Sequence, residues 1–223
     1  MTGPTDDSAL DQAAVRALFG QAYTTVLALA ELLTQQGVWR GLIGPKETGR
    51  LWTRHLINSA ALEPQLPRTG RVLDIGSGAG LPGLVLAAMR PTLGFELVDS
   101  MRRRTGWLQE AVMQLGLTNT TVTWSRVEDL PPGRLYEAVV SRAVGSLTSL
   151  ARWGAPRLVT GGVFLALKGR AAGDELQRYL AEPVKDNLVD LTVLTVRVLE
   201  EIDATYVVRG VKAGPDAGAV AHN

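Results

Sequence analysis

The chain of 223 residues contains no cysteine and only two histidines, His55 and His222. Without cysteine there are no disulfides, thiolate zinc sites or iron–sulfur clusters, so cluster-based radical chemistry is excluded. Nucleophilic catalysis through a thiolate is excluded as well. Two histidines cannot build a histidine-rich metal centre, and no metal is expected. Aromatic residues make up 5%, and Trp39, Trp52, Trp107, Trp124 and Trp153 are scattered, mostly on apolar faces. They form no array of exposed rings for stacking bases. No apolar run reaches the roughly 18 residues of a membrane span, and no charged-then-apolar leader stands at the start. A cytoplasmic protein without a membrane partner is expected. Only four of the 23 basic residues are lysine, a skew of composition more than of function.

What the chain has in quantity is glycine at one place. Val72-Leu-Asp-Ile-Gly76-Ser-Gly78-Ala-Gly80-Leu-Pro-Gly83 reads as a buried strand breaking into a glycine turn that opens a helix. Such a turn lets the backbone bend sharply and a ligand approach closely. Two templates overlap in it. Gly78-x-Gly80-x-x-Gly83 satisfies the dinucleotide fingerprint. Gly76-x-Gly78-x-Gly80 preceded by Asp74 is the pattern of S-adenosylmethionine methyltransferases. A carboxylate at Asp74 accepts hydrogen bonds from the turn and offsets the positive charge of a sulfonium and an ammonium. Beside a pyrophosphate the same carboxylate would be repulsive, which favours the methyltransferase template.

Asp99 ends a second strand, Phe95–Val98, nineteen residues after Gly80. A carboxylate there can take both ribose hydroxyls of an adenosine. Capping the helix that starts near Met101 is the alternative. Further on, Thr120–Trp124, Ala138–Val140 and Val163–Leu167 read as short strands, and helices are expected over Leu84–Met89 and through Trp107 to Leu115. Val189–Leu199 and Thr205–Val211 leave no room for a helix between them and read as a closing antiparallel pair. The expected fold is α/β, Rossmann-like: a seven-stranded, mostly parallel sheet with that closing pair and an N-terminal helical extension. Each strand is expected to end in a polar site residue: Gly76, Asp99, Ser125 to Asp129, Ser141-Arg142 and Lys168-Gly169.

Residues 1–9 are expected to be loose and 10–68 to form a helical segment packed on the core. Within it, Val15, Leu18, Phe19, Ala22, Val26, Leu29 and Leu33 mark one long amphipathic helix. Gly37–Lys46 is a connector, and Leu51, Trp52, His55 and Leu56 lie on a second helix. The catalytic domain is expected over 69–212 and a flexible tail over 213–223.

Asp74 to Gly83, Val98-Asp-Ser100, Ser125-Arg-Val-Glu128, Ser141-Arg-Ala143 and Ala166-Leu-Lys-Gly169, in this order and spacing, closely resemble one bacterial family. It is the small-subunit ribosomal RNA guanine-N7 methyltransferase G family, also called glucose-inhibited division protein B. Arg54-His-Leu-Ile-Asn-Ser59 resembles the family's stretch before the core, whereas Arg40–Arg50 departs from it. The resemblance implies S-adenosyl-L-methionine as cofactor and 16S ribosomal RNA, at guanine 527, as substrate. It also implies cofactor contacts at Gly76, Leu81, Val127, Glu128 and Arg142, beside Asp74, Gly78 and Asp99 from the loop and strand readings.

Guanine N7 carries an in-plane lone pair, so no base must remove a proton before attack, and catalysis reduces to positioning. No catalytic base is therefore expected, with Arg142 the nearest candidate for a catalytic role. An arginine ending a buried strand needs an anionic partner: Asp74 or Asp99, the cofactor carboxylate, or an RNA phosphate. RNA contacts are expected from Lys168, from Arg102, Arg103 and Arg104, and from Arg54 and His55. A net charge of +1 does not by itself indicate a nucleic-acid binder, but these cations are clustered. The substrate is the small ribosomal subunit or its RNA, and the chain is expected to be a monomer. A small-molecule methyltransferase and a nicotinamide oxidoreductase remain as alternatives.

Overall fold

The computed structural model describes residues 7–142, 144–183 and 186–214. Ala143, His222 and most of the expected loose ends lie outside these. The β-strands are β1 (Arg71–Ile75), β2 (Gly94–Asp99), β3 (Thr120–Trp124), β4 (Tyr136–Arg142), β5 (Leu158–Lys168), β6 (Leu188–Val196) and β7 (Thr205–Lys212). They form one sheet in the order β3-β2-β1-β4-β5-β7-β6. β1 to β5 pair in parallel, and β7 lies antiparallel between β5 and β6. The strand order turns back between β1 and β4, and such a reversal opens a crevice at the carboxyl ends. Ser141 bridges it, its hydroxyl donating to the Ile75 carbonyl at 3.0 Å.

Parallel strands need crossover helices, and these cover both faces. On one side lie α1 (Gln12–Phe19), α2 (Tyr23–Gln36), α3 (Ile57–Ala60), α4 (Gly83–Met89) and α5 (Arg102–Gln114), whose apolar faces share a core with Leu97 of β2. On the other lie α6 (Leu147–Gly154) and α7 (Ala172–Ala181), packed on Leu73, Val139 and Phe164. The sequence reading placed neither α6 nor α7. Glu96, buried in β2, is satisfied by Tyr136 at 2.7 Å, Thr123 at 2.6 Å, Arg134 at 3.1 Å and Arg71 at 3.2 Å. Its carboxylate ties four strands together.

The expected single N-terminal helix is two. Gly20, at φ +49, ends α1, and a 3-10 turn over Gly20–Ala22 leads into α2. Gln12–Gln36 taken together has the length and mean hydropathy, 1.2, of a membrane span. Val15, Phe19, Val26, Leu29 and Leu33, however, are spent on the core against α4 and α5. The second helix is also irregular: Trp52–Leu56 is a π-helical turn that passes into α3. Asp7 fastens it, its carboxylate accepting from the Trp52 N–H at 2.9 Å and the Thr53 N–H at 2.8 Å. The start of the chain is thus docked from Asp7 on, earlier than expected. At the other end the Ala213 N–H donates to the Asn187 carbonyl at 2.8 Å, so residue 213 is held to the sheet.

Candidate active site

Three cavities run along the carboxyl ends of the strands. The first, about 240 Å³, lies between the ends of β2 and β3 and is walled by Asp99, Met101, Val127, Glu128 and Trp153. The second, about 180 Å³, lies over the glycine turn against Ile43, His55, Gly78 and Leu81. Gly76, Arg104 and Val144 line both, so the two are one elongated space. The third, about 500 Å³, meets the second at Arg142 and is walled by Arg54, Asn58, Lys168 and Glu175. Every strand end expected to carry a site residue faces one of these spaces.

The glycine turn is held from below. Gly76 sits at φ +69, and a β-carbon there would lie 2.5 Å from Val144 Cγ2. Glycine is therefore required by the loop's own packing, in addition to any close ligand. Asp74 is wholly buried beneath the turn and walls none of the three cavities. Its Oδ2 accepts from the Gly83 N–H at 3.1 Å, at the first turn of α4. Burial pushes its carboxyl up to about 7, opposed by the bonds from the loop. Asp74 thus accepts from the turn, as the sequence reading has it, and its Oδ1 has no hydrogen-bond partner among the described residues. The carboxylate reaches the helix N-terminus because Gly83 has no side chain, and a β-carbon there would lie 2.5 Å from Oδ2.

Asp99 serves the α5 approach and the glycine turn at once. One carboxylate oxygen accepts from the Met101 N–H at 2.8 Å, capping the approach to α5, and the other from the Gly78 N–H at 3.0 Å. It also faces the first cavity, 3.6 Å from Arg104 Nη1. One side chain therefore couples the glycine turn, α5 and the ligand space.

Glu128 and Val127 form a 3-10 turn at the far wall. Arg157, which the sequence reading passed over, fixes it from behind. Its Nη2 donates to the carbonyls of Val127, Glu128 and Leu130, and its Nη1 to that of Pro131 at 2.9 Å. Nothing in the sequence around Arg157 distinguishes it.

Arg142 has none of the anionic partners proposed for it among Asp74 and Asp99. Its guanidinium donates to the carbonyls of Arg54 at 3.0 Å and His55 at 3.2 Å, and to His55 Nδ1. Burial, then the charge of Arg54, lowers its pKa to about 10. His55 Nε2 lies 2.8 Å from Glu47 Oε2. Arg142 can only donate, so Nδ1 must be the acceptor and the ring proton sits on Nε2, facing the carboxylate. Burial, followed by the Arg142 charge, lowers His55 to about 4, and the ring is neutral. Burial acts to raise Glu47, but the bond from His55 and the charges of Arg54 and Arg50 lower it overall. Glu47 was missed because it lies in the segment read as departing from the family. A lone acid among Arg40, Lys46, Arg50 and Arg54 was the available signal.

The expected RNA cations separate. Arg104 lines the first two cavities, and His55 lines the second, tied between Glu47 and Arg142. Arg102 and Arg103 are exposed, and the Arg102 guanidinium lies over the Trp124 ring at 5.5 Å. Arg54 and Lys168 line the third cavity, with Lys168 paired to Glu175 at 2.8 Å instead of free.

Residues 22–202 match the family described as rRNA small subunit methyltransferase G. Proteins named ribosomal RNA small subunit methyltransferase G share 44% identity in Pseudarthrobacter chlorophenolicus, over 92% of this chain and 94% of that protein. In Beutenbergia cavernae the identity is 43%, over 93% and 98%. A tRNA methyltransferase from Aquifex aeolicus has a similar fold, with a TM-score of 0.55 over 71% of this chain and 69% of that one, at 18% identity. So does the N-methyltransferase NodS from Bradyrhizobium japonicum, solved with S-adenosyl-L-homocysteine, with a TM-score of 0.52 over 85% and 99%, at 15% identity.

Proposed function

The chain belongs to the rRNA small subunit methyltransferase G family, GidB, and from that premise we propose that it methylates N7 of a guanine in 16S ribosomal RNA. S-adenosyl-L-methionine is the methyl donor, and guanine 527 is the target position that the family resemblance implies. The observation that carries the reading is the meeting of three cavities: a two-lobed space for the cofactor opens at Arg142 onto a third.

The residues present fit that cofactor. The first lobe offers the Asp99 carboxylate to ribose hydroxyls and an apolar wall, Val127 and Met101, to a flat base. The second offers the glycine turn and Leu81 to the methionine part, with the Arg142 guanidinium at its mouth for the carboxylate. Bound there, the cofactor supplies a methyl group on a cationic sulfur.

The protein's own part is positional. With the cofactor bound, the N7 lone pair would take the methyl group directly, the leaving sulfur would keep the bond pair, and no proton would be lost. A base inside a helix or loop must be extruded before N7 can line up behind that bond. The third cavity receives it, and Arg102, Arg103 and Arg54 hold flanking phosphates. Arg142 and Leu81 exclude water where the cavities join. A complete site in one chain suits a monomer, and the substrate suits a cytoplasmic enzyme.

Calorimetry with S-adenosylhomocysteine and with NAD tests the cofactor assignment. Binding of the first and not the second is expected, and the reverse would favour the oxidoreductase reading. Incubating the protein with methyl-labelled cofactor and small ribosomal subunits then tests the substrate, with label in the 16S RNA expected.

A further inference from the structure

The third cavity holds an ion pair that cofactor binding leaves unused. Lys168 ends β5, and Glu175 stands in the first turn of α7. Lys168 Nζ lies 2.8 Å from Glu175 Oε2 and donates to the Gly145 carbonyl at 3.1 Å. The Lys168 side chain is 8% exposed and that of Glu175 25%. Of the three ammonium hydrogens, two are engaged and one remains. Glu175 Oε1 has no hydrogen-bond partner among the described residues. Asn58, on the same wall, donates one amide hydrogen to the Arg54 carbonyl and accepts from Thr205. The Lys168–Glu175 pair thus offers one carboxylate face beside one N–H on this wall.

That pattern matches one RNA base. Guanine alone presents two adjacent donors, N1–H and the 2-amino group, next to an acceptor, O6. Adenine presents a lone pair at N1, which a carboxylate repels, and uracil presents one donor between two acceptors. The cavity, about 500 Å³, falls within the range of roughly 300–1,000 Å³ typical of small-ligand pockets.

We infer that Lys168 and Glu175 read the Watson–Crick edge of the target guanine. Glu175 accepts from N1–H and the 2-amino group, and Lys168 donates to O6. The ring edge bearing N7 then faces away from Glu175, towards Arg142 and the cofactor space. This rests on the proposed methylation of guanine and adds a selecting residue to it: Glu175 touches the base, not the reacting atoms.

The test uses small subunits reconstituted with 16S RNA carrying either guanine or inosine at the target position. Inosine keeps N7, N1–H and O6 and lacks only the 2-amino group. The full-length protein is expected to lose roughly 10- to 100-fold in kcat/KM on inosine, the discrimination of one good bidentate contact. In Glu175→Gln the guanine rate falls and the guanine-to-inosine ratio approaches one, while S-adenosylhomocysteine affinity stays at the wild-type value. A Glu175 that only holds Lys168 in place would lower both rates equally and keep the ratio, which overturns the inference. Equal wild-type rates on guanine and inosine overturn it too, without needing any variant to fold, and leave the proposed function intact. A wild-type protein that methylates neither subunit removes the functional reading and the inference together.

Discussion

Arg142 and His55 meet across the join between the N-terminal unit and the sheet, the guanidinium donating to the ring's Nδ1 and, at 3.2 Å, to its backbone carbonyl. The strand that ends at the substrate cavity is thereby fastened to a π-helical turn, and Glu47 completes the chain from the far side of the ring. A half-buried arginine is held here by a neutral ring and two carbonyls, with the Glu47 carboxylate on the far side of the ring. The arrangement aims Arg142, and the Glu47 charge beyond the ring offsets part of its own.

A pH dependence follows from His55. Its folded pKa, about 4, lies below the ordinary value of 6.5, so the unfolded chain binds the extra proton first as pH falls. The stability that depends on the neutral ring is complete above about pH 6.5 and is lost progressively down to about pH 4, on the order of 3 kcal/mol. Urea unfolding of wild type and His55→Gln at pH 7, 6, 5 and 4 checks this. Wild type should lose more stability than the variant across that window, and parallel curves would refute it.

Asp99→Ala should damage two properties at once, because the carboxylate serves Met101, Gly78 and the ligand space together. Cofactor affinity is expected to fall by about 1–3 kcal/mol and folding stability by about 1 kcal/mol. Calorimetry and urea titration on the same preparation measure the two. A loss confined to stability would leave Asp99 as a cap alone.

The arginine triplet should divide by position. Arg104→Ala weakens cofactor binding, by no more than about 1 kcal/mol because its pair with Asp99 is long and partly exposed. Arg102→Ala and Arg103→Ala leave it unchanged, and each reduces the salt slope of RNA binding by roughly one unit. Filter binding across a salt series reads the slopes. Three identical phenotypes would mean that the triplet acts as one patch.

Arg157→Ala should raise the KM for the cofactor without lowering kcat at saturation. Four carbonyls of the Val127–Pro131 turn lose their donor, and the wall for the adenine loosens at a cost of about 1–2 kcal/mol in cofactor affinity. Arg157→Lys should recover part of it, and a fall in kcat alone would place Arg157 elsewhere in the mechanism.

The sheet was legible because parallel strands buried on both faces write continuous apolar runs such as Ala138–Val140 and Val163–Leu167. Their polar ends marked the cavities for the same reason: the chain leaves the core there. The break at Gly20 was hidden by an apolar spacing that continues across it, and α6 and α7 are short, signalled chiefly by the Ser146 cap on α6. Side-chain direction was not legible. Nothing in the triplet tells that Arg104 turns away from Arg102 and Arg103 to line the cavities over the glycine turn. The Glu47–His55–Arg142 chain joins residues up to 95 positions apart through a π-turn that no local periodicity announces.

The central claim is tested most directly by mapping the methyl group. Small subunits lacking the modification are incubated with the protein and methyl-labelled S-adenosyl-L-methionine, and their 16S RNA is digested and resolved for 7-methylguanosine. One label per subunit at a single guanine, position 527, recovered as the N7-methylated nucleoside, is the predicted result. Label on a ring carbon, an exocyclic amine or a ribose, or no transfer by a protein that binds the cofactor, would contradict it.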